Sequence, residues 1–411
     1  MTLLTRRSAL ALLPAAGLAA TVGSTARAAD KTLTIGVNLP LTGAAADTAN
    51  LIRYGVKAAV DEINGRGGVA GYTLALLVLD DATSTAGQYD PGQAATNARK
   101  MIGDPAVVAA IGPMNSGSAK AMCPILSAAG LAIITPSATN PDMTDPKFAA
   151  IYRPGELVFF RTVTTDAYQG PSLANYFFDV LKLKSVCVLD DSGAYGVGLA
   201  DRFEAQARKR GLQVLARDRI DPKQADYSAV LSRFKALNPD ALYMGGDQLA
   251  GVKVVKQSYE ILPNVVKGGG DGFYTPEILT GGGFPAAEGW YATIASPHVT
   301  EDKAMEPWLK SFTAMAGRAP SDYSITAYDG TMVIADAISR AAAAGGVTRA
   351  TVRAAIQTAK VKTLQGEVSF DANGDLASRI VSVFQIHRND AYPLGDAIHQ
   401  FKYIGPAPEV T

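Results

Sequence analysis

The residues that could do chemistry here lie in short polar loops that follow apolar runs. Gly112-Pro113-Met114-Asn115-Ser116-Gly117 follows the run Val107 to Ile111, and Thr135-Pro136-Ser137-Ala138-Thr139-Asn140-Pro141 follows Leu131 to Ile134. Backbone N–H groups at the start of a following helix, beside Asn115 and the hydroxyls of Ser116 and Thr139, suit a carboxylate. Ser116 and Thr139 would serve equally well as helix N-caps, and composition leaves both roles open. In the second half, Asp190-Asp191-Ser192-Gly193-Ala194-Tyr195-Gly196, Gly245-Gly246-Asp247 and Gly269-Gly270-Asp271-Gly272 hold equivalent places. One half offers donors and the other acids, and two facing sets of this kind fit a zwitterion.

Signatures of catalysis mostly fail. The chain carries no GxSxG, HExxH or CxxC and no Gly-Lys pair for a phosphate loop. Gly196-Val197-Gly198 lacks the third glycine of a dinucleotide fingerprint. His298, His387 and His399 are far apart, and no base stands near Ser116 in sequence to activate it. Asp80-Asp81 and Asp190-Asp191 each end an apolar run, where a carboxylate caps a loop or helix more often than it transfers protons.

Alternating strand and helix patterns must position these loops. Leu33 to Leu39, Leu74 to Leu79, Val107 to Ile111 and Leu131 to Ile134 read as strands, and the apolar face Ile52, Val56, Ala59, Ile63 as a helix ending at Gly65. Continuous apolar strands mark parallel sheets covered on both faces. The alternation restarts after Arg161 with strands around Cys187, Leu212 to Leu215, Ala241 to Met244 and Val265-Val266. Two such runs mean two α/β lobes. Three helices follow, around Met305 to Met315, Tyr328 to Ile338 and Val347 to Ala359. The tail strands Val368 to Phe370 and Ile380 to His387 are joined by the turn Asp371-Ala372-Asn373-Gly374.

The chain has 411 residues, 48% of them hydrophobic, which excludes wholesale disorder. Thirty-eight basic and 38 acidic residues cancel, so nothing electrostatic points to nucleic acid or an anionic membrane. Two Cys and three His are too few for a Cys/His metal cluster. Residues 1–28 read as a cleaved leader: Arg6-Arg7, an apolar stretch from Ala9 to Val22, then Ala26-Arg27-Ala28. The paired arginines resemble a twin-arginine export signal, although Sec signals carry basic residues too. Export would permit a Cys123–Cys187 disulfide, but each Cys sits in an apolar run typical of a buried free thiol.

Read together, these loops resemble the periplasmic leucine/isoleucine/valine-binding proteins of ABC importers. The similarity runs through Leu39-Pro40-Leu41-Thr42-Gly43, Asn64-Gly65-Arg66-Gly67-Gly68-Val69, Asp80-Asp81-Ala82, the loop Thr135 to Pro141, Tyr195-Gly196, Tyr328-Asp329 and Gly366 to Leu376. It implies a type I periplasmic-binding-protein fold, α/β, with mostly parallel sheets in two Rossmann-like lobes joined by three crossings. By similarity, lobe 1 takes residues 31–163 and 292–362, and lobe 2 takes 164–291 and 363–411. Such proteins are exported to the periplasm as monomers, close around one solute, pass it to membrane permease subunits, and use no cofactor or metal. Carried over, Ser116 and Thr139 would hold the ligand carboxylate and the Ala138 carbonyl the ammonium. Tyr195 would cover the ligand from lobe 2, and Asp271 would pair with the ammonium. Two positions depart from the pattern. Thr48 and Asp247 stand where the family often places aromatics, so the ligand is an amino acid of the branched-chain-type family, another amino acid, an amide, urea or a small carboxylic acid. A sensor that reports occupancy to a membrane receptor would use the same lobes, and a secreted hydrolase is the alternative from another class.

Overall fold

The computed structural model describes residues 31–410, so the expected leader lies outside the described residues. The first lobe opens with β1 (Lys31–Leu39), α1 (Ala46–Gly65), β2 (Tyr72–Asp80), α2 (Pro91–Gly103) and β3 (Val107–Ile111). It continues through α3 (Ser116–Ala129), β4 (Ile133–Thr135), the single turn α4 (Ala149–Tyr152) and β5 (Phe159–Arg161). All five strands are parallel, in the order β2-β1-β3-β4-β5.

The second run contains α5 (Asp166–Asn175), β6 (Ser185–Asp190), α6 (Ala194–Arg210), β7 (Gln213–Arg219) and α7 (Ser228–Ala236). Then come β8 (Ala241–Gly245), α8 (Gln248–Ile261), β9 (Val266–Gly269) and β10 (Tyr291–Ile294). Its core is parallel, as in the first lobe. Every residue of β3 and β8 is buried, as strands covered by helices on both faces require. The edge strand β7 is half open and carries Arg217 and Arg219. Gly211 ends α6 at φ +91°, a left-handed conformation that costs glycine nothing.

The chain next returns to the first lobe. Of α9 (Glu306–Ala316), α10 (Asp322–Ala343) and α11 (Arg349–Gln357), α10 packs on α1 so closely that a Cβ on Gly55 would lie 2.1 Å from the Ser324 carbonyl oxygen. Arg349 ties α11 to the same lobe by donating to the carbonyls of Val107, Ile102 and Asp104. An antiparallel ribbon follows, β11 (Lys360–Thr363) with β12 (Gly366–Ser369). The last pieces are β13 (Ser382–Ile386), α12 (Ala397–Gln400) and β14 (Phe401–Pro406). They complete the second sheet, in the order β14-β13-β10-β9-β8-β6-β7, with β13 and β14 antiparallel.

The lobes are therefore linked after β5, after β10 and after β12. The links touch one another: Thr164 N–H donates to Ala295 O at 2.7 Å, and Ser382 Oγ to Ser296 O at 2.8 Å. One sequence expectation holds in part. The turn Asp371 to Gly374 forms and folds Leu376 back against Phe370, but β12 pairs with β11 while β13 pairs with β10 and β14. The partner β11 alternates exposed and half-buried residues and carries little apolar pattern by which to be seen. Cys123 and Cys187 are free and buried in separate sets of packed side chains.

Candidate functional site

The strands of both lobes aim their carboxyl ends at one cleft, the place where open α/β sheets bind ligands. A cavity lies there, with about 310 Å³ of space between the atoms when the adjoining open solvent is counted, lined by Met114, Asn115, Ser116 and Ser137 from the loops after β3 and β4. Tyr195 of α6, Asp247 and Gln248 after β8, Asp271 and Gly272 after β9, and Tyr323 of α10 complete the lining. Five of the residues proposed from sequence, Asn115, Ser116, Tyr195, Asp247 and Asp271, meet here.

One end of the cavity is the amino terminus of α3. Asn115 is its N-cap but caps no backbone N–H with its side chain, so the helix start keeps its partial positive charge for an anion. Ser116 Oγ accepts from Asn140 N–H at 3.3 Å. Ala138 and Thr139 do not line the cavity. The Ala138 carbonyl accepts instead from Arg161 Nη1 at 2.7 Å, and the Thr139 hydroxyl is buried beside the Asp166 carboxyl.

The other end is acidic. Asp271 is 3% exposed and accepts hydrogen bonds from the phenols of Tyr195 and Tyr323, one from each lobe. Its backbone N–H donates to Gln169 Oε1 at 3.0 Å. The flanking glycines permit this crowding: a Cβ on Gly270 would lie 2.4 Å from the Tyr195 hydroxyl and 2.6 Å from Gln169 Oε1. Burial pushes the carboxyls of Asp166, Asp191, Asp247 and Asp271 above the usual range. Mutual repulsion adds to it, Asp271 acting on Asp166, and Asp191, Asp271 and Asp166 on Asp247. Among the described residues no Lys or Arg lines the cavity. A cavity that combines a helix start with buried acids and holds no basic side chain suits a ligand with separated charges.

Several conspicuous residues prove to be structural. Asp80 accepts from Leu41 N–H, Thr42 Oγ and Ala82 N–H. Asp81 accepts from Asn38 Nδ2 and Ser118 Oγ, and Asp190 pairs with Arg217 and Arg219. Each His faces an acid away from the cavity: His298 with Asp322, His387 with Glu288, His399 with Asp396. Gly196 serves packing, since a Cβ there would lie 2.6 Å from Gly245 O. Asp329 accepts from Leu364 and Gln365 N–H, which pins the ribbon turn to α10. Among the described residues no group of three or more His, Cys, Asp or Glu could hold a metal ion.

Sequence reasoning missed Tyr323, Ser137 and Gln248. Tyr323 was traceable, because Ser321 and Ser324 form a capping box that announces the start of α10. It also missed a bridge between the lobes. Thr48 sits in the first turn of α1 and does not line the cavity; its N–H and Oγ1 donate to Glu277 at 2.9 and 2.6 Å. A carboxylate from one lobe thus caps a helix of the other. Asn140 Nδ2 crosses the cleft as well, donating to Ala194 O at 2.8 Å. Thr48→Val removes one hydrogen bond to a charged acceptor, a loss of about 1.5–3 kcal/mol from the closed form. Calorimetry should therefore show ligand affinity falling roughly 10–100-fold. Unchanged affinity would mean that this contact does not distinguish closed from open lobes.

Comparison with known proteins adds to this geometry. A family model described as periplasmic binding protein matches residues 32–391. The chain is 32% identical over 357 residues to the Leu/Ile/Val-binding protein BraC3 of Rhizobium johnstonii, covering 86% of this chain and 91% of that one. It is 31% identical over 377 residues to Leu/Ile/Val-binding protein homolog 3 of Brucella melitensis, covering 92% and 97%. Among solved structures, the leucine binding protein LivK of Thermotoga maritima superposes with a TM-score of 0.78 at 26% identity, covering 91% of this chain and 98% of that one.

Proposed function

The chain belongs to the periplasmic binding protein family, and from that premise we propose that it is the exported solute-binding component of an ABC importer. It traps an amino acid or a similar small polar solute between its lobes and delivers it to permease subunits. The observation that carries this reading is the cavity itself, lined from both lobes and furnished with a helix start at one end and Asp271 at the other. The role needs no catalytic step, and none is assigned. Among the described residues no helix is long and apolar enough to cross a membrane. The protein acts as a monomer, and the leader over residues 1–28 carries it to the periplasm.

In this reading Ser116 and the α3 amino terminus hold the ligand carboxylate, Asp271 holds the ammonium, and Tyr195 and Tyr323 close over it. Thr139 stands behind that end, its hydroxyl beside Asp166. The lobe boundaries follow those expected from sequence with two adjustments: β10 goes with lobe 2, and the third crossing comes after β12. Supporting these are the pairing of β10 with β9 and the hydrogen bonds from the ribbon turn to Asp329.

Closure about the three crossings is a hinge motion, with ligand favouring the closed form through contacts to both lobes. Protein stripped of ligand by unfolding and refolding should show a larger radius of gyration in small-angle scattering than protein saturated with its solute. Mass spectrometry of what unfolding releases names that solute. Identical scattering profiles at saturation, with a ligand demonstrably bound, would rule out closure.

A further inference from the structure

Apart from Asp271, whose hydrogen bonds are made, the cavity holds a group of poorly matched polar atoms. Asp247 is the N-cap residue of α8, yet its side chain caps no backbone N–H. Its carboxylate meets Asn115 Nδ2 across the cleft at 3.5 Å, the outer limit for a hydrogen bond. Among the described residues Asn115 Oδ1 and Gln248 Nε2 find no partner, and they lie on residues 4% and 2% exposed that both line the cavity. Asp247 N–H donates to Asp191 Oδ2 at 2.8 Å, which brings a second acid alongside. Burial, with Asp191, Asp271 and Asp166 close by, pushes the Asp247 carboxyl well above its ordinary range. Both carboxylate oxygens of Asp271, in contrast, already accept from phenols.

We propose that Asp247 and Asn115 recognise an N–H-bearing group of the ligand other than its α-ammonium, an ammonium, amidinium or carboxamide, so that the solute has a polar tail and not a branched aliphatic one. The inference rests on the solute-binding reading above and narrows it. An N–H group donates to the Asp247 carboxylate and to Asn115 Oδ1, the two acceptors that need partners. A carboxamide would also accept from Gln248 Nε2. An aliphatic tail would cover all three and return nothing, and each buried unmatched group weakens binding by roughly 10-fold or more.

Calorimetry on the stripped protein with L-leucine, L-glutamine and L-ornithine tests this, repeated on Asp247→Leu and on the near-isosteric Asp247→Asn. In the unmutated protein, glutamine or ornithine should bind at least about 10-fold tighter than leucine. Asp247→Leu should weaken the preferred ligand by roughly 10–100-fold while leaving leucine unweakened. Asp247→Asn separates the tails: a carboxamide ligand keeps most of its affinity, whereas a cationic one loses it. Leucine binding tightest, or a preference unchanged in both variants, would overturn the inference and leave solute binding standing. Binding of none of the three, with no amino acid released on unfolding, would overturn the amino-acid reading and the inference together.

Discussion

Asp271→Asn is expected to lower affinity for an α-amino acid by roughly 100-fold or more while leaving the melting temperature of the ligand-free protein nearly unchanged. A ligand ammonium enclosed by the two lobes loses its water and needs an acid. Removing that acid leaves a buried charge unpaired, at about 3–5 kcal/mol, which corresponds to at least two orders of magnitude in affinity. Without ligand the balance differs. The Asp271 carboxylate is bonded to Tyr195 and Tyr323, both neutral, with the acids Asp166 and Asp247 near it, and burial holds its pKa above the ordinary value. Asparagine keeps one acceptor for one phenol and mismatches the other, a loss of about 0.5–1.5 kcal/mol that relief of the buried charge offsets. Calorimetry and thermal melts on the same preparation check both halves. Near-normal affinity in Asp271→Asn, with amino-acid binding lost in Asp247→Asn, would transfer the ammonium role to Asp247.

The sequence made the frame of this site legible and its cross-links obscure, for physical reasons. Strands β3 and β8 are buried on both faces, so Val107 to Ile111 and Ala241 to Met244 read as unbroken apolar runs. Asp247 and Asp271 each follow glycines at a strand end, and the crowding around Gly270 gives the physical cause of that spacing. The three-residue β5 has no periodicity to detect, and it ends in an arginine, which pattern reading assigns to a surface. Whether the Ala138 carbonyl faces a ligand depends on which side chain reaches it from 23 residues away. Thr48 looked like a lost aromatic wall because its partner Glu277 lies 229 residues further on, in the other lobe. Pairings of that length follow from the packing of the lobes and leave no local trace.

That arginine carries the largest stability effect expected outside the cavity. Arg161 is completely buried at the end of β5. Its Nε donates to Asp375 Oδ1 at 2.7 Å, Nη1 to Ala138 O at 2.7 Å and Asn140 O at 2.8 Å, and Nη2 to Thr144 Oγ1 at 2.6 Å. Four acceptors from two separate loops thus converge on one planar fork. The clamped loop from Ala138 to Thr144 includes Asn140, which crosses the cleft to Ala194. Arg161→Met fills the space but leaves two carbonyls without a donor and Asp375 without its cation, and should lower unfolding stability by about 3–5 kcal/mol. Arg161→Lys should recover little, because an ammonium on a flexible stem cannot reach four acceptors in the geometry of a guanidinium fork. In urea unfolding both variants should shift to lower midpoints with the slope retained, and ligand affinity should fall with them as the loop loosens. A methionine variant within about 1 kcal/mol of the parent would mean that these acceptors find water or other donors, and the loop would then owe its shape to Thr135, whose hydroxyl accepts from Ala138 N–H at 2.8 Å.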